Sequence, residues 1–270
     1  MLNRWCWTRS AAGSMPPVFD FRNDFYMRNQ SKDLDGPSGV LLIDKAEDMT
    51  SHDVVAIARR ALNTKKIGHC GTLDPMATGL LMLVIGRATK IQDLLMSEDK
   101  QYVGTLTLGA TTSTQDRQGE VLESKPVGDL SKAQIDEAFA AFTGEFEQIP
   151  PMVSAIKKDG VPLYKLARKG IEIVREPRKV HITGHEVTRV ELPEVDFIVN
   201  CSKGFYVRTY AHDIGERLGC GAHLSALRRT RSGKFTLDRS VTVADLKTAP
   251  REDLLKALIS LAEISLMRGA

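Results

Sequence analysis

The sequence lacks most of the features that would assign it quickly to a class. No apolar run in its 270 residues approaches the roughly 18 that a membrane-spanning helix needs. Cysteine is scarce: Cys6, Cys70, Cys201 and Cys220 form no C-x-x-C pair and have no histidine at zinc-ligand spacing. That composition disfavours a disulfide-stapled secreted domain and predicts reduced, unpaired thiols. There is no glycine fingerprint of a phosphate-cradling loop, no cluster of metal-ligand types, no internal repeat and no low-complexity segment. The N-terminus has no apolar core of a secretory signal. What remains is a chain of ordinary globular composition, 42% hydrophobic and 26% charged, long enough to bury a sizeable core.

Net charge is only +3, but it is unevenly spread. Residues 157–180 hold eight Lys/Arg against three acids, and residues 203–239 repeat that count. Two basic stretches on a nearly neutral body fit either a polyanion-binding face or a solvated surface. Residues 1–35 stand apart, with Trp5, Trp7, Pro16-Pro17 and no periodicity. Their first 19 residues carry Arg4 and Arg9 and no acid. They read as an N-terminal extension, either a disordered one or an organellar transit peptide. The chain would accordingly work in the cytoplasm, or in a mitochondrion or plastid if that segment is an address.

Order begins at Gly36. Val40–Ile43 reads as a buried strand. Thr50 and Asp53 form a capping box ahead of Val54, Val55, Ala58 and Leu62 at helical spacing. Leu80–Ile85 is a second core strand, and 89–95 reads as helix. Tyr102–Leu108 alternates, with Tyr102, Leu106 and Leu108 on one face. Ser131 and Gln134 open a third helix, and Pro162 fits the first position of a fourth. Strands follow at 178–191 and 195–201, then a helix at 207–218 that stops at Gly219. A short helix at 222–229, a strand at 231–236 and an amphipathic helix at about 251–263 complete the reading. This order predicts an α+β fold with a mixed, mostly antiparallel central sheet flanked by helices.

The densest signal is Gly68-His69-Cys70-Gly71-Thr72-Leu73-Asp74-Pro75-Met76-Ala77-Thr78-Gly79. Three glycines and a proline in twelve residues shape a rigid loop, and an Asp before Pro is held extended. A carboxylate so fixed suits catalysis, although the local composition alone favours a turn-closing role.

This loop resembles the signature of the TruB family of tRNA pseudouridine synthases. Further blocks in the family's order are similar too: Gly39–Lys45, Gly86–Lys90, Asp99–Tyr102, Gln148–Lys157, Cys201–Thr209 and Gly219–His223. Together they cover about 36–240, and several ordered motifs are far more specific than one loop. The resemblance implies a catalytic domain over 36–270 with the pseudouridine synthase core and an RNA-clamping insertion at 157–180. It implies a stand-alone enzyme, acting as a monomer on the T-arm of tRNA. The uridine called U55 would be isomerised with no metal or organic cofactor.

By the same resemblance Asp74 is the catalytic carboxylate, as nucleophile or as base. Arg208 is its ionic partner, and Tyr102 stacks on the target base. Tyr206 is a second pocket aromatic and Leu227 an apolar wall. His69 supports the flipped-out RNA, and Lys45 lies near the site floor or a phosphate. The family's usual C-terminal RNA-binding domain has no room after the last helix, so the chain is expected to lack it. The rivals are a guide-RNA-dependent synthase subunit and a non-catalytic RNA-binding or RNA-folding protein.

Overall fold

The computed structural model describes residues 36–154, 157–158, 160–167, 170–171 and 173–269. The expectations for residues 1–35 lie outside this set. Strand β1 (Gly39–Lys45) is apolar on both faces and pairs antiparallel with β3 (Thr78–Ile85). Period-two alternation sends Leu41, Ile43, Leu81 and Leu83 to one side and Val40, Leu42, Leu80 and Met82 to the other. The sheet is therefore covered on both sides here, which explains why the sequence shows continuous apolar runs rather than alternation.

Helix α1 (Ser51–Ala61) begins at the expected capping box: Asp53 N–H donates to the Thr50 hydroxyl, and Thr50 N–H to the Asp53 carboxylate. Strand β2 (Ile67–Cys70) then joins β3, so His69 sits on a strand at the mouth of the glycine-rich loop. A 3-10 turn at 86–91 precedes the short α2 (Gln92–Met96). Strand β4 (Lys100–Leu108) alternates as predicted, and β5 (Ala110–Thr112) pairs with β6 (Val121–Ser124). Helix α3 (Lys132–Ala140) has its Ser131–Gln134 box, and β7 (Gly144–Gln148) follows. Within 157–180, β8 (Lys157–Lys158) pairs with β9 (Val161–Pro162), and α4 (Leu163–Ala167) starts one residue after the proline.

The hairpin β10 (Arg178–Glu191) and β11 (Glu194–Cys201) is followed by α5 (Val207–Leu218), which ends at Gly219 with φ 82°. Next come β12 (Ala222–Ser232), β13 (Phe235–Thr236), β14 (Val241–Thr242), α6 (Val243–Thr248), α7 (Arg251–Lys256) and α8 (Leu261–Arg268). The main sheet runs β14-β1-β3-β12-β4-β11-β10-β7, with β2 on β3 and β13 on β12. Only β1–β14 and β3–β12 are parallel, so the sheet is mixed and mostly antiparallel, as expected. Among the described residues no helix is long and apolar enough to cross a membrane.

Three expected elements differ. The strand predicted at 231–236 is a hairpin, in which Arg231 and Ser232 at the end of β12 pair with Thr236 and Phe235 of β13. The helix predicted at 222–229 is the first part of β12, bonded to β4 on one side and β3 on the other. Leu224 and Leu227 mimic helical spacing because a bulge between Leu224 and Ala226 shifts the strand's alternation. The helix predicted at 251–263 is broken in two. Ile259 leaves the helical path to exchange two backbone hydrogen bonds with Val40, at 2.9 and 2.8 Å, and Ser260 then caps α8.

Candidate active site

The loop between β2 and β3 is held on both sides of Asp74. Leu73 N–H donates to Ser51 Oγ at 2.9 Å, and that hydroxyl returns a bond to the Leu73 carbonyl. The Pro75 carbonyl accepts from Asp48 N–H and, at 3.2 Å, from Lys45 Nζ. Leu73 and Met76 anchor the loop in the core. The Asp74 side chain remains 34% exposed, so the carboxylate faces outward from a fixed backbone.

Arg208, in the first turn of α5, meets Asp74 with two nitrogens, Nε at 2.9 Å from Oδ2 and Nη2 at 3.3 Å from Oδ1. Its side chain is 3% exposed. The same guanidinium donates to the Thr114 and Val153 carbonyls at 2.9 and 2.7 Å. Asp116, buried and bonded to the Thr114 hydroxyl and Gln118 N–H, lies 3.7 Å from Arg208 Nε. Burial raises the Asp74 pKa above the usual carboxylate range, and Asp116 adds to the rise; Arg208 and Lys45 pull against it. The outcome is an oriented carboxylate more basic than a free aspartate.

Lys45 is fully buried, and its three bonds go to the carbonyls of Ala46, Met49 and Pro75. This places it at the floor of the site, under the loop, rather than at a phosphate. Desolvation lowers its pKa to about 8. Tyr102 on β4 is nearly buried, and burial pushes its phenol upward against the nearby Arg229 guanidinium. Lys45, Tyr102 and Tyr206 are all close enough to feel the Asp74 charge, Lys45 more than the two phenols. Tyr206 is pinned through its backbone: Gln148 accepts from its N–H at 2.8 Å and donates to its carbonyl at 3.1 Å. Leu227 lies on β12, 8% exposed, in the same core cluster as Tyr102. His69 lies on β2. Its ring nitrogen Nδ1 has no partner among the described residues, and burial lowers its pKa.

Asp116, Gln148, Ser51 and Arg229 were not singled out in the sequence. A separate cleft of about 460 Å³ is lined by Arg178, Lys179 and Lys203 together with Asp93, Met96 and Ser97. Among the described residues no group of three or more His, Cys, Asp or Glu could hold a metal ion.

Residues 59–207 match the family model described as TruB family pseudouridylate synthase (N terminal domain). The chain belongs to the TruB family. Residues 208–266 match a second model, the tRNA pseudouridylate synthase B C-terminal domain. A segment described as the family's C-terminal domain is therefore present, within the expected catalytic domain rather than after its last helix. The matched stretch is not appended to the sheet: it opens with Arg208 and includes β12.

Within the TruB family the chain is 56% identical over 228 residues to the tRNA pseudouridine synthase B of Opitutus terrae. That alignment covers 84% of this chain and 93% of the relative. It is 47% identical to the protein of the same name from Syntrophotalea carbinolica, covering 84% and 74%. Among solved structures it resembles a chain of a Cbf5-Nop10-Gar1 complex, with TM-score 0.66 and 32% identity. That match covers 85% of this chain and 62% of the other.

Proposed function

We propose that this TruB-family chain is a stand-alone tRNA pseudouridine synthase that isomerises the T-arm uridine U55, with Asp74 as its catalytic carboxylate. The observation that carries the reading is the outward-facing Asp74 carboxylate clamped by the buried Arg208 fork on a rigid loop. The reaction breaks the N1–C1′ bond, turns the uracil and forms a C5–C1′ bond. N1 gains a proton and C5 loses one, so atoms and electrons balance without an external oxidant or reductant. A carboxylate at this position can serve either as nucleophile at the ribose or as base at its 2′ position. Arg208 orients it for both, and the raised pKa of the Asp74 carboxyl favours both.

The target base must leave its stack to reach Asp74. Tyr102 then offers an aromatic face, with Leu227 and Tyr206 as walls and His69 supporting the extruded geometry. Lys45 acts from beneath, holding the Pro75 carbonyl and hence Asp74. The cationic cleft formed by Arg178, Lys179 and Lys203 suits the phosphates of the arm, which position the RNA without specifying sequence. The enzyme acts as a monomer on free tRNA.

The test is pseudouridine formation on an unmodified tRNA transcript with no guide RNA added. The native chain is expected to form product. Asp74→Asn keeps the shape but removes the ionised carboxylate, and is expected to cut turnover at least about 1,000-fold with tRNA affinity within about threefold. Equal losses of affinity and turnover would show that Asp74 holds RNA rather than reacting. No product from folded native chain would shift the assignment to a guide-dependent subunit or a non-catalytic RNA-binding protein.

A further inference from the structure

Arg229 is the largest fully buried side chain in the described part of the molecule, at 1% exposure. Among the described residues no carboxylate forms an ion pair with it. Nε donates to Leu80 O at 2.7 Å and Nη2 to Gly71 O at 3.1 Å, and the guanidinium also hydrogen-bonds the Tyr102 side chain. Those two carbonyls flank the catalytic loop, Gly71 before Asp74 and Leu80 after it. A single planar guanidinium therefore ties together the two stems from which Asp74 projects. The chain path reinforces the link. Arg229 lies opposite Gly79 in the parallel pairing of β3 and β12, and opposite Tyr102 in the antiparallel pairing of β4 and β12. A side chain at Gly79 would meet the Arg229 carbonyl at 2.3 Å, so the loop's last stem lies tight against this residue. Directly opposed residues in a sheet are side-chain neighbours, and the guanidinium indeed acts on the Tyr102 phenol.

Burying a cation without a counter-charge is costly, and a second cation, Lys100, is close enough to feel Arg229. An apolar side chain of similar length would avoid that cost, but it could not bond both carbonyls. Only the fork of an arginine spans them in one plane. We infer that Arg229 is a positioning residue for the reaction: its guanidinium fixes the Asp74 loop against the strand that carries Tyr102. It does not touch the substrate. It sets the separation between the reacting carboxylate and the aromatic platform, a geometry in which an error of about 1 Å can cost about 100-fold in rate. This inference rests on the proposed synthase activity.

The experiment compares native chain, Arg229→Lys and Arg229→Met in single-turnover pseudouridine formation on saturating unmodified tRNA. Affinity is measured separately, and rates are normalised to the folded fraction from circular dichroism. Met keeps the stem and loses every donor; Lys keeps charge and can bond one carbonyl. The expected result is a rate loss of about 100-fold for Met and about 10-fold for Lys, with affinity within about threefold of native. A merely structural arginine would lower the folded fraction and leave the rate per folded molecule alone. Native-like rates in either folded variant would overturn the inference. So would a loss of affinity large enough to account for the lost rate, or failure of both variants to fold at low temperature. Absence of product from the native chain would instead overturn the synthase reading.

Discussion

Tyr210 follows Arg208 by two residues on α5 and is fully buried, ringed edge-on by Phe139, Phe142 and Phe205 at 5.4–5.7 Å between centroids. Its hydroxyl has no partner among the described residues. A buried, unpaired hydroxyl is a net cost, while the ring contacts are a gain that phenylalanine would retain. Tyr210→Phe is expected to stabilise the chain by about 1 kcal/mol and raise Tm by about 3 °C in thermal unfolding. A fall of that size would show that a buried water serves the hydroxyl. Reactive residues and supporting residues differ in how the sequence displays them. Asp74, Tyr102 and Arg208 could be read because each sits in a short, distinctive motif whose order along the chain is itself a signal. Asp116 and Arg229 could not. Their roles arise from partners some 90 and 150 positions away, Arg208 and the stems of the Asp74 loop, and nothing local marks them.

At the scale of elements, α5 packs on β12 with no room to spare. A methyl at Gly215 would fall 2.1 Å from the Ala222 nitrogen and 2.4 Å from its Cβ. Gly215→Ala is therefore expected to cost about 3 kcal/mol in urea unfolding. It should also lower the rate per folded molecule, because the same rigid helix carries Arg208. An unchanged urea midpoint would mean that helix and strand can slide apart freely. Of the three helices among the described residues that open with capping boxes, α1 and α3 were legible from a signal within four residues that precedes a longer apolar stripe. Helix α6, with its Thr242–Asp245 box, is a single short turn and a half and was not legible. Strand β12 was not, because its identity is imposed by two neighbours already aligned to receive it. The interruption between α7 and α8 likewise comes from a tertiary contact, Ile259 on Val40, which no local pattern announces.

Across the whole molecule, the order of elements was enough for a mixed sheet flanked by helices, but not for the strand order. The buried basic groups give the fold a distinctive pH response. Lys45 and Lys100 titrate at about 8 when folded, mainly through desolvation, against an ordinary 10.5. Below that pH the folded state bears two buried charges that the unfolded chain keeps in water. As pH rises through 8 the folded state releases these protons first, the unfolded state holds more, and stability climbs. Cys70 and Cys201 act in reverse. Burial pushes both thiols up to about 12, so above about 9 the unfolded chain ionises first and stability is lost. Urea midpoints are expected to rise by the equivalent of about 1–2 kcal/mol between about pH 7.5 and 9, then level and decline. A steady fall across that range would show that the two lysines are not desolvated as described. The position of β12 has one more consequence. It lies between β3 and β4, yet it is made well over a hundred residues after either. During synthesis both earlier strands emerge with an open edge facing a vacant slot, a template for mispairing until the last fifth of the chain leaves the ribosome. Arg208 also comes late, so a nascent chain is in need of chaperone cover until that slot is filled and, on the proposed reading, is silent as an enzyme until then.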